Sequence, residues 1–141
     1  MTLQQQKQVP FIIYKTISFI LKSRDLFYPP KYIINEIGIK PGDCVLDYGC
    51  GPGNYSIAIA ELLAGTGKVL ALDSHPLAVN QVSQTAKKKK LTNVKTILSN
   101  CDTGLPSNSV DIVLLYYLFN DLENPEKVLY ELHRVIKPDG I

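Results

Sequence analysis

A glycine-rich loop after the first strand-like segment is the feature best suited to hold a ligand. Within residues 47–54, glycines stand at every second position, as Gly49, Gly51 and Gly53. Glycines at this spacing let a backbone pass close to a ligand and adopt dihedral angles that other residues avoid. The simpler interpretation is a tight strand-to-helix turn without a ligand, so the charged residues nearby must decide the chemistry.

Two aspartates restrict the class of ligand. Asp47 ends the first strand, where its charge would repel a pyrophosphate. The dinucleotide fingerprint G-x-G-x-x-G/A also fails, because its sixth position counted from Gly49 is Asn54. Asp73 ends the second strand about 20 residues after the loop, the place of an acid that accepts hydrogen bonds from a ribose diol. These residues predict a nucleoside ligand that carries a cation rather than a phosphate.

An alternation of apolar strands and helices positions these residues. Strands are predicted at 44–48, 68–73, 94–98 and 110–115. Helices are predicted at 54–64, 76–89 and from Pro125 onward. Apolar strands that alternate with helices indicate a parallel sheet covered on both sides. Right-handed crossovers then predict a doubly wound α/β sheet that binds ligands at the carboxyl ends of its strands.

Local signals predict where the helices begin and end. Ser74 is a candidate N-cap of the helix that starts at Pro76, and Asn124 of the helix that starts at Pro125. Two further helical stretches, at 11–21 and about 31–37, precede the sheet and are separated by a proline pair. The polar segment 1–8 is expected to be frayed.

Composition and charge exclude several classes of function. The chain of 141 residues is 45% hydrophobic and 20% charged, which is typical of one globular domain. Its net charge of +2 is too small to indicate a nucleic-acid partner. Three cysteines, Cys44, Cys50 and Cys101, form no C-x-x-C pair, so neither a disulfide framework nor a metal site is expected. The apolar stretch 11–21 is shorter than the roughly 20 residues of a membrane span. We therefore expect a cytoplasmic protein without a membrane partner.

The segment 45–53 resembles the first motif of class I S-adenosylmethionine-dependent methyltransferases. The resemblance continues in order and spacing through Asp73, 105–111 and 132–140, and covers roughly residues 28–141. It is strongest to the small-molecule branch that includes the ubiquinone and menaquinone biosynthesis enzymes. It implies a Rossmann-like sheet, S-adenosylmethionine as the cofactor and a small-molecule methyl acceptor.

The resemblance implies cofactor contacts at Asp47, Gly49, Cys50, Gly51, Asp73, Ser74, Asn100, Cys101, Asp102 and Tyr116. Asp47 would serve the amino group at the methionine end, and Asp73 the ribose hydroxyls. Either Asn100 or Asp102 would accept from the adenine amine, and the backbone of Cys101 would reach the ring. The thiols of Cys50 and Cys101 would line the pocket as small apolar groups.

The roles of several aromatic and polar residues stay open. Tyr116 would flank the methyl group, or be a tyrosine at the edge of the core. His75 would lie near the adenosine or, more simply, be a solvent-exposed loop residue. No catalytic residue is assigned, because Tyr117, Asn120 and Asp121 stand where relatives often carry a histidine pair.

The resemblance divides the chain into a helical lid, residues 1–38, and a cofactor-binding core, residues 39–141. Phe27 and Tyr28 would roof the methyl-donor end, or the lid aromatics would merely pack on the sheet.

The chain stops at Ile141, where relatives continue into a fifth strand. We therefore expect four strands in the order 3-2-1-4, with an exposed apolar edge on the fourth strand. A homo-oligomer would cover that edge. The alternative function is a non-catalytic or partner-dependent module that binds S-adenosylmethionine.

Overall fold

The computed structural model describes residues 10–27, 29–116 and 122–141. In chain order the elements are α1 (Phe11–Phe27), α2 (Lys31–Ile37), β1 (Cys44–Tyr48), α3 (Asn54–Leu63), β2 (Lys68–Asp73), α4 (Pro76–Lys88), β3 (Val94–Leu98), β4 (Ile112–Leu114) and α5 (Pro125–Val135). The fraying expected for residues 1–8 concerns positions outside the described residues.

The four strands form one parallel sheet in the order β3-β2-β1-β4, which confirms the predicted fold class. The central strand β1 is buried along its whole length because helices cover both faces of the sheet. Val45 belongs to the apolar cluster that includes Ile59 of α3. Leu46, on the opposite face, belongs to the cluster that includes Leu132 of α5. The alternation of side chains along β1 therefore ties the two layers together.

The cap predicted for α5 is confirmed, whereas the cap predicted for α4 is wrong. The Asn124 side chain accepts a hydrogen bond from the Lys127 amide at 3.1 Å. At α4 the capping residue is His75, whose Nδ1 accepts from the Leu77 amide at 3.2 Å. His75 has the extended backbone of an N-cap, with φ −97° and ψ 123°, and Ser74 is left exposed one residue earlier.

The expectation that the fourth strand has no neighbour on its outer side is wrong. After α5 the chain turns back along β4, and Val110 forms a parallel bridge with Ile136. Further along, the Ile141 amide donates to the Asp111 carbonyl at 2.9 Å, and the Val113 amide donates to the Ile141 carbonyl at 2.8 Å. The segment 136–141 thus satisfies backbone groups on this edge that a second copy was expected to pair with. The regular strand is also shorter than predicted, because Val110 lies in that isolated bridge.

An ion pair holds the returning segment at the amino-terminal end of the sheet. Lys137 Nζ lies 2.6 Å from Asp111 Oδ1, and the other carboxylate oxygen accepts from the Cys44 amide at 2.8 Å. Both hydrogen bonds favour the charged carboxylate, and the pKa of Asp111 is lowered, first by Lys137 and then by the Cys44 amide. Asp111, part of a sequence motif shared with the resembled family, therefore has a structural function here.

We predict that Gly53→Ala destabilises the protein more than Gly38→Ala. Both glycines have a positive φ, +86° and +73°, so both substitutions incur backbone strain of about 1–2 kcal/mol. A Cβ on Gly53 would also lie 2.5 Å from Val82 Cγ2, whereas nothing lies within 4 Å at Gly38. Overpacking of this kind adds about 1–3 kcal/mol. Urea denaturation of the two variants measures the difference, and equal losses of unfolding free energy would contradict the predicted contact between the loop and α4.

Candidate functional site

The glycine loop turns sharply over the end of β2. Gly49, Gly51 and Gly53 have φ values of +81°, +50° and +86°, a region that residues with a Cβ rarely adopt. The amides of Gly49 and Cys50 both donate to the Leu72 carbonyl, at 2.7 and 2.9 Å. Glycine is thus required at these alternate positions by the backbone conformation of the loop, whether or not a ligand binds.

Asp73 fastens this loop to the start of α4. One carboxylate oxygen accepts from the Gly51 amide at 2.9 Å, and the other from the His75 amide at 2.8 Å. Each carboxylate oxygen can accept more than one hydrogen bond. Asp73 therefore shapes the loop and retains the capacity to accept from hydroxyl groups of a ligand.

Asp47 is a buried carboxylate beside the same loop. It is 4% exposed and accepts a hydrogen bond of 2.5 Å from the Ser56 hydroxyl, in the first turn of α3. Burial raises its pKa from 3.8 to about 6, the Ser56 hydroxyl opposes this shift, and the negative charge of Asp73 adds to it. A cation placed beside Asp47 would offset the cost of its buried charge.

The loop after β3 is anchored through its backbone. The buried Tyr48 hydroxyl donates to the Asn100 carbonyl at 3.1 Å, and the Cys101 amide donates to Ser99 Oγ at 3.2 Å. The Asp102 side chain is 83% exposed, and Asn100 is exposed as well. Both candidate acceptors for an adenine amine therefore stay accessible at this end of the sheet.

A charged cluster on α5 holds residues 103–105, which follow the loop after β3. Glu131 accepts from the Thr103 amide and hydroxyl at 2.9 and 2.6 Å, and it pairs with Arg134 at 2.8 Å. Arg134 also donates to the Leu105 carbonyl at 2.9 Å. The Arg134 side chain, together with Thr103, lowers the pKa of Glu131 to about 2. The cluster holds this segment without using any residue that was predicted to contact a ligand.

One face of α1 lies across the carboxyl ends of three strands. The face consists of Tyr14, Ser18, Leu21 and Arg24, which recur at helical spacing. The Tyr14 ring stacks on His75 after β2, with centroids 4.4 Å apart, and Leu21 Cδ1 lies 4.0 Å from where a Cβ on Gly51 would be. The Arg24 guanidinium lies 5.8 Å from the centroid of the Tyr116 ring after β4. The helix thus roofs the place where the sequence predicts a ligand.

Two hydroxyls on this inner face are buried without a hydrogen-bond partner among the described atoms, Tyr14 Oη and Ser18 Oγ. Burial raises the pKa of Tyr14, and Ser18 is close enough to lower it, but no hydrogen bond of acceptable geometry joins the two groups. Buried polar groups without partners are rare in proteins. They point to a missing partner between α1 and the glycine loop.

The structure corrects several expectations about the surrounding residues. His75 is not a solvent-exposed loop residue, because it caps α4 and stacks on Tyr14. Phe27 is 79% exposed and neither roofs a pocket nor packs on the sheet. Cys50 and Cys101 are buried members of the apolar clusters, and their contact with a ligand stays a prediction.

Other expectations concern positions that the structure leaves out, since Tyr28, Tyr117, Asn120 and Asp121 lie outside the described residues. Tyr116 lies at the end of the sheet, with its ring 5.0 Å from that of Tyr55. Within residues 10–27, 29–116 and 122–141, no group of three or more His, Cys, Asp or Glu side chains could hold a metal ion.

The sequence indicated Tyr14 only as one of several lid aromatics, and two other residues of the candidate site, Ser18 and Ser56, were missed. Tyr14 and Ser18 stand one helical turn apart, which was the available signal on α1. Ser56 stands in the first turn of the helix after the loop, nine residues beyond Asp47. A buried aspartate at a strand end needs a donor, and the first turn of the next helix is the nearest source.

Comparisons with known proteins place the whole core in one family. The family described as "Methyltransferase domain" matches residues 39–141. The demethylmenaquinone methyltransferase of Geobacillus stearothermophilus is 34% identical over 112 residues, which are 79% of this chain and 48% of that protein. The ubiquinone/menaquinone biosynthesis C-methyltransferase of Hydrogenovibrio crunogenus is 30% identical, over 78% of this chain and 44% of that protein. The chain therefore spans about half the length of these curated relatives.

A solved structure agrees with this assignment. The crystal structure of a SAM-dependent methyltransferase from Aquifex aeolicus is 36% identical and has a TM-score of 0.73. The match covers 78% of this chain and 59% of that one. The four-stranded parallel sheet, the glycine loop and the family match over residues 39–141 lead to one conclusion: this chain belongs to the methyltransferase domain family.

Proposed function

We propose that this chain binds S-adenosylmethionine between α1 and the carboxyl ends of β2, β1 and β4, and transfers its methyl group to a small molecule. The observation that carries the proposal is the buried carboxylate of Asp47 beside the glycine loop. Its pKa of about 6 means that it is mostly ionised at neutral pH, where it lacks a cationic partner among the described residues. An amino acid ammonium group supplies such a partner.

The described residues fit the rest of this ligand. Asp73, already oriented by two amides, would accept from ribose hydroxyls. Asn100 or Asp102, with the Cys101 backbone, would hold the adenine at the end of β3. The hydroxyls of Tyr14 and Ser18, which have no partner within residues 10–27, 29–116 and 122–141, would find one in the ligand. Gly49, Gly51 and Ser74 would contribute backbone surface, and Tyr116 would lie at the methyl end.

Methyl transfer depends more on positioning the donor and the acceptor than on acid or base catalysis. When bound, S-adenosylmethionine supplies a methyl group that is already activated by its positively charged sulfur. The strand ends would orient the donor, and α1 would close the site and exclude water. A base becomes necessary only if the acceptor must lose a proton.

We further propose that residues 1–38 act as the lid of this site and that the acceptor is a small apolar or aromatic molecule. The stacking of Tyr14 on His75, the position of Arg24 over the Tyr116 ring and the proximity of Leu21 to Gly51 support the lid. The names of two curated relatives, a demethylmenaquinone methyltransferase and a ubiquinone/menaquinone biosynthesis C-methyltransferase, support the acceptor class.

We predict that S-adenosylhomocysteine binds the purified chain and that its affinity rises about tenfold between pH 5 and pH 7. The ligand's ammonium group pairs with the ionised form of Asp47, whose pKa is about 6, so acid weakens binding. Isothermal titration calorimetry across this range measures the effect. The absence of binding at millimolar ligand would refute the proposed function.

Asp47→Asn is the control for this experiment, because it keeps the shape of the side chain and removes the titration. Its affinity should be low and nearly independent of pH.

The pH dependence of the stability of the ligand-free proteins gives a second check on Asp47. Because the folded-state pKa of Asp47 is raised, its contribution to stability is full below pH 3.8 and is lost as the pH rises through 6. This fall should be missing in Asp47→Asn.

We predict that Tyr14→Phe stabilises the ligand-free protein and weakens ligand binding. Removing a buried hydroxyl without a partner relieves a desolvation cost of about 1–3 kcal/mol. The same hydroxyl contributes to binding if its partner is the ligand, so the two measurements move in opposite directions. Thermal unfolding and calorimetry test this, with Tyr130→Phe, an exposed ring on α5, as the matched control. A loss of stability in Tyr14→Phe would mean that its hydroxyl already has a partner.

A further inference from the structure

The outward face of α1 is an exposed apolar surface, although its inner face lies over the site. Among the described residues, eight of the fourteen large apolar side chains that are exposed lie on this one helix. Ile12, Phe19, Leu26 and Phe27 are each 72–79% exposed. Exposed apolar side chains are common singly, but a contiguous set on one helix marks an interaction surface.

The hydroxyl groups on this face are satisfied within the helix. Thr16 Oγ1 donates to the Ile12 carbonyl at 3.0 Å, and Ser23 Oγ donates to the Phe19 carbonyl at 2.9 Å. Back-bonding of this kind removes the need for water at a hydroxyl donor. The face can therefore leave water without leaving these two donors unpaired.

Charge distinguishes between the partners that could cover this face. The first 40 residues contain six basic and two acidic residues, whereas the rest of the chain contains nine basic and eleven acidic ones. Lys15 is exposed and lies 4.5 Å from the centroid of the Phe11 ring, and Lys31 lies 5.4 Å from that of Tyr32. A second copy docked face to face would bring like charges together, whereas an anionic surface would complement them.

We propose that the outward face of α1 docks on the surface of an anionic lipid bilayer. The apolar side chains would enter the boundary between headgroups and acyl chains, and Lys15, which is exposed on the same helix, would contact the headgroups. α1 has 17 residues, and no described helix is long and apolar enough to cross a membrane, so the helix lies in the interface. This inference replaces the expectation of no membrane partner, and it does not require that the chain transfers methyl groups.

The experiment measures binding of the 141-residue chain to large vesicles by sedimentation. One set of vesicles contains phosphatidylcholine alone, and the other also contains phosphatidylglycerol. We expect binding to the anionic vesicles, reduced by at least about tenfold in Phe19→Ser, which loses one inserted ring. Lys15→Gln should reduce binding about fivefold on anionic vesicles and leave binding to neutral vesicles unchanged.

Tyr130→Ser is the matched control, because this ring is 78% exposed on a different helix, α5. It should bind vesicles as the unaltered chain does. The exposure of all three sites leaves the core intact, and circular dichroism verifies folding. No binding to anionic vesicles would overturn the proposal, as would equal losses in Phe19→Ser and Tyr130→Ser. A dimer in solution that Phe19→Ser dissociates, with no vesicle binding, would assign the face to a second copy instead.

Discussion

The site depends on the two hydrogen bonds that Asp73 accepts from backbone amides. One comes from Gly51 in the loop after β1, and the other from His75 at the start of α4. Together they join the first two strand-to-helix turns, which follow β1 and β2. These turns lie beside the switch point between β1 and β4, where a doubly wound fold binds its ligand. A charged acceptor strengthens both bonds, so the loop has its shape before any ligand arrives. Preorganisation of this kind lowers the entropy lost on binding.

The free-energy cost of burying the charge of Asp47 is reduced by polar groups around its carboxylate. The Ser56 hydroxyl stabilises the ionised form, and the amino-terminal end of α3 contributes a favourable dipole. Burial and the nearby charge of Asp73 act in the opposite direction and leave the pKa near 6. The buried charge therefore makes the folded protein less stable than an apolar side chain at position 47 would. An incoming cation recovers part of that loss as binding free energy.

α1 connects the site with the surface of the protein. Its inner face lies against residues beyond three strands, while two of its hydroxyls are buried without a hydrogen-bond partner among the described residues. Its outer face exposes large apolar side chains to solvent. A helix with both features is held less firmly than α3, which is packed against the core by Ile59, Ala60 and Leu63. This difference is what the proposed lid requires, since a lid must move as a ligand enters or leaves.

The sequence by itself determined the sheet and the loop, because both rest on local patterns. Continuous apolar runs such as Val69–Leu72 indicate strands buried on both faces, and positive φ values require glycine at positions 49, 51 and 53. The positions of Asp47 and Asp73 at strand ends follow directly. Their proximity follows as well, since the carboxyl ends of parallel strands share one edge of a sheet.

Only the tertiary structure decided features that depend on contacts between distant segments. Ser74 and His75 can both cap a helix, and in the structure His75 does so while its ring stacks on Tyr14. The edge of β4 is covered by residues 136–141. No local sequence pattern predicts this pairing. The apolar residues of α1 itself are spread around the whole helix, so the sequence pattern does not predict which face is buried. That choice is made at the strand ends, where the rings of His75 and Tyr116 and the backbone of Gly51 lie against one side of the helix.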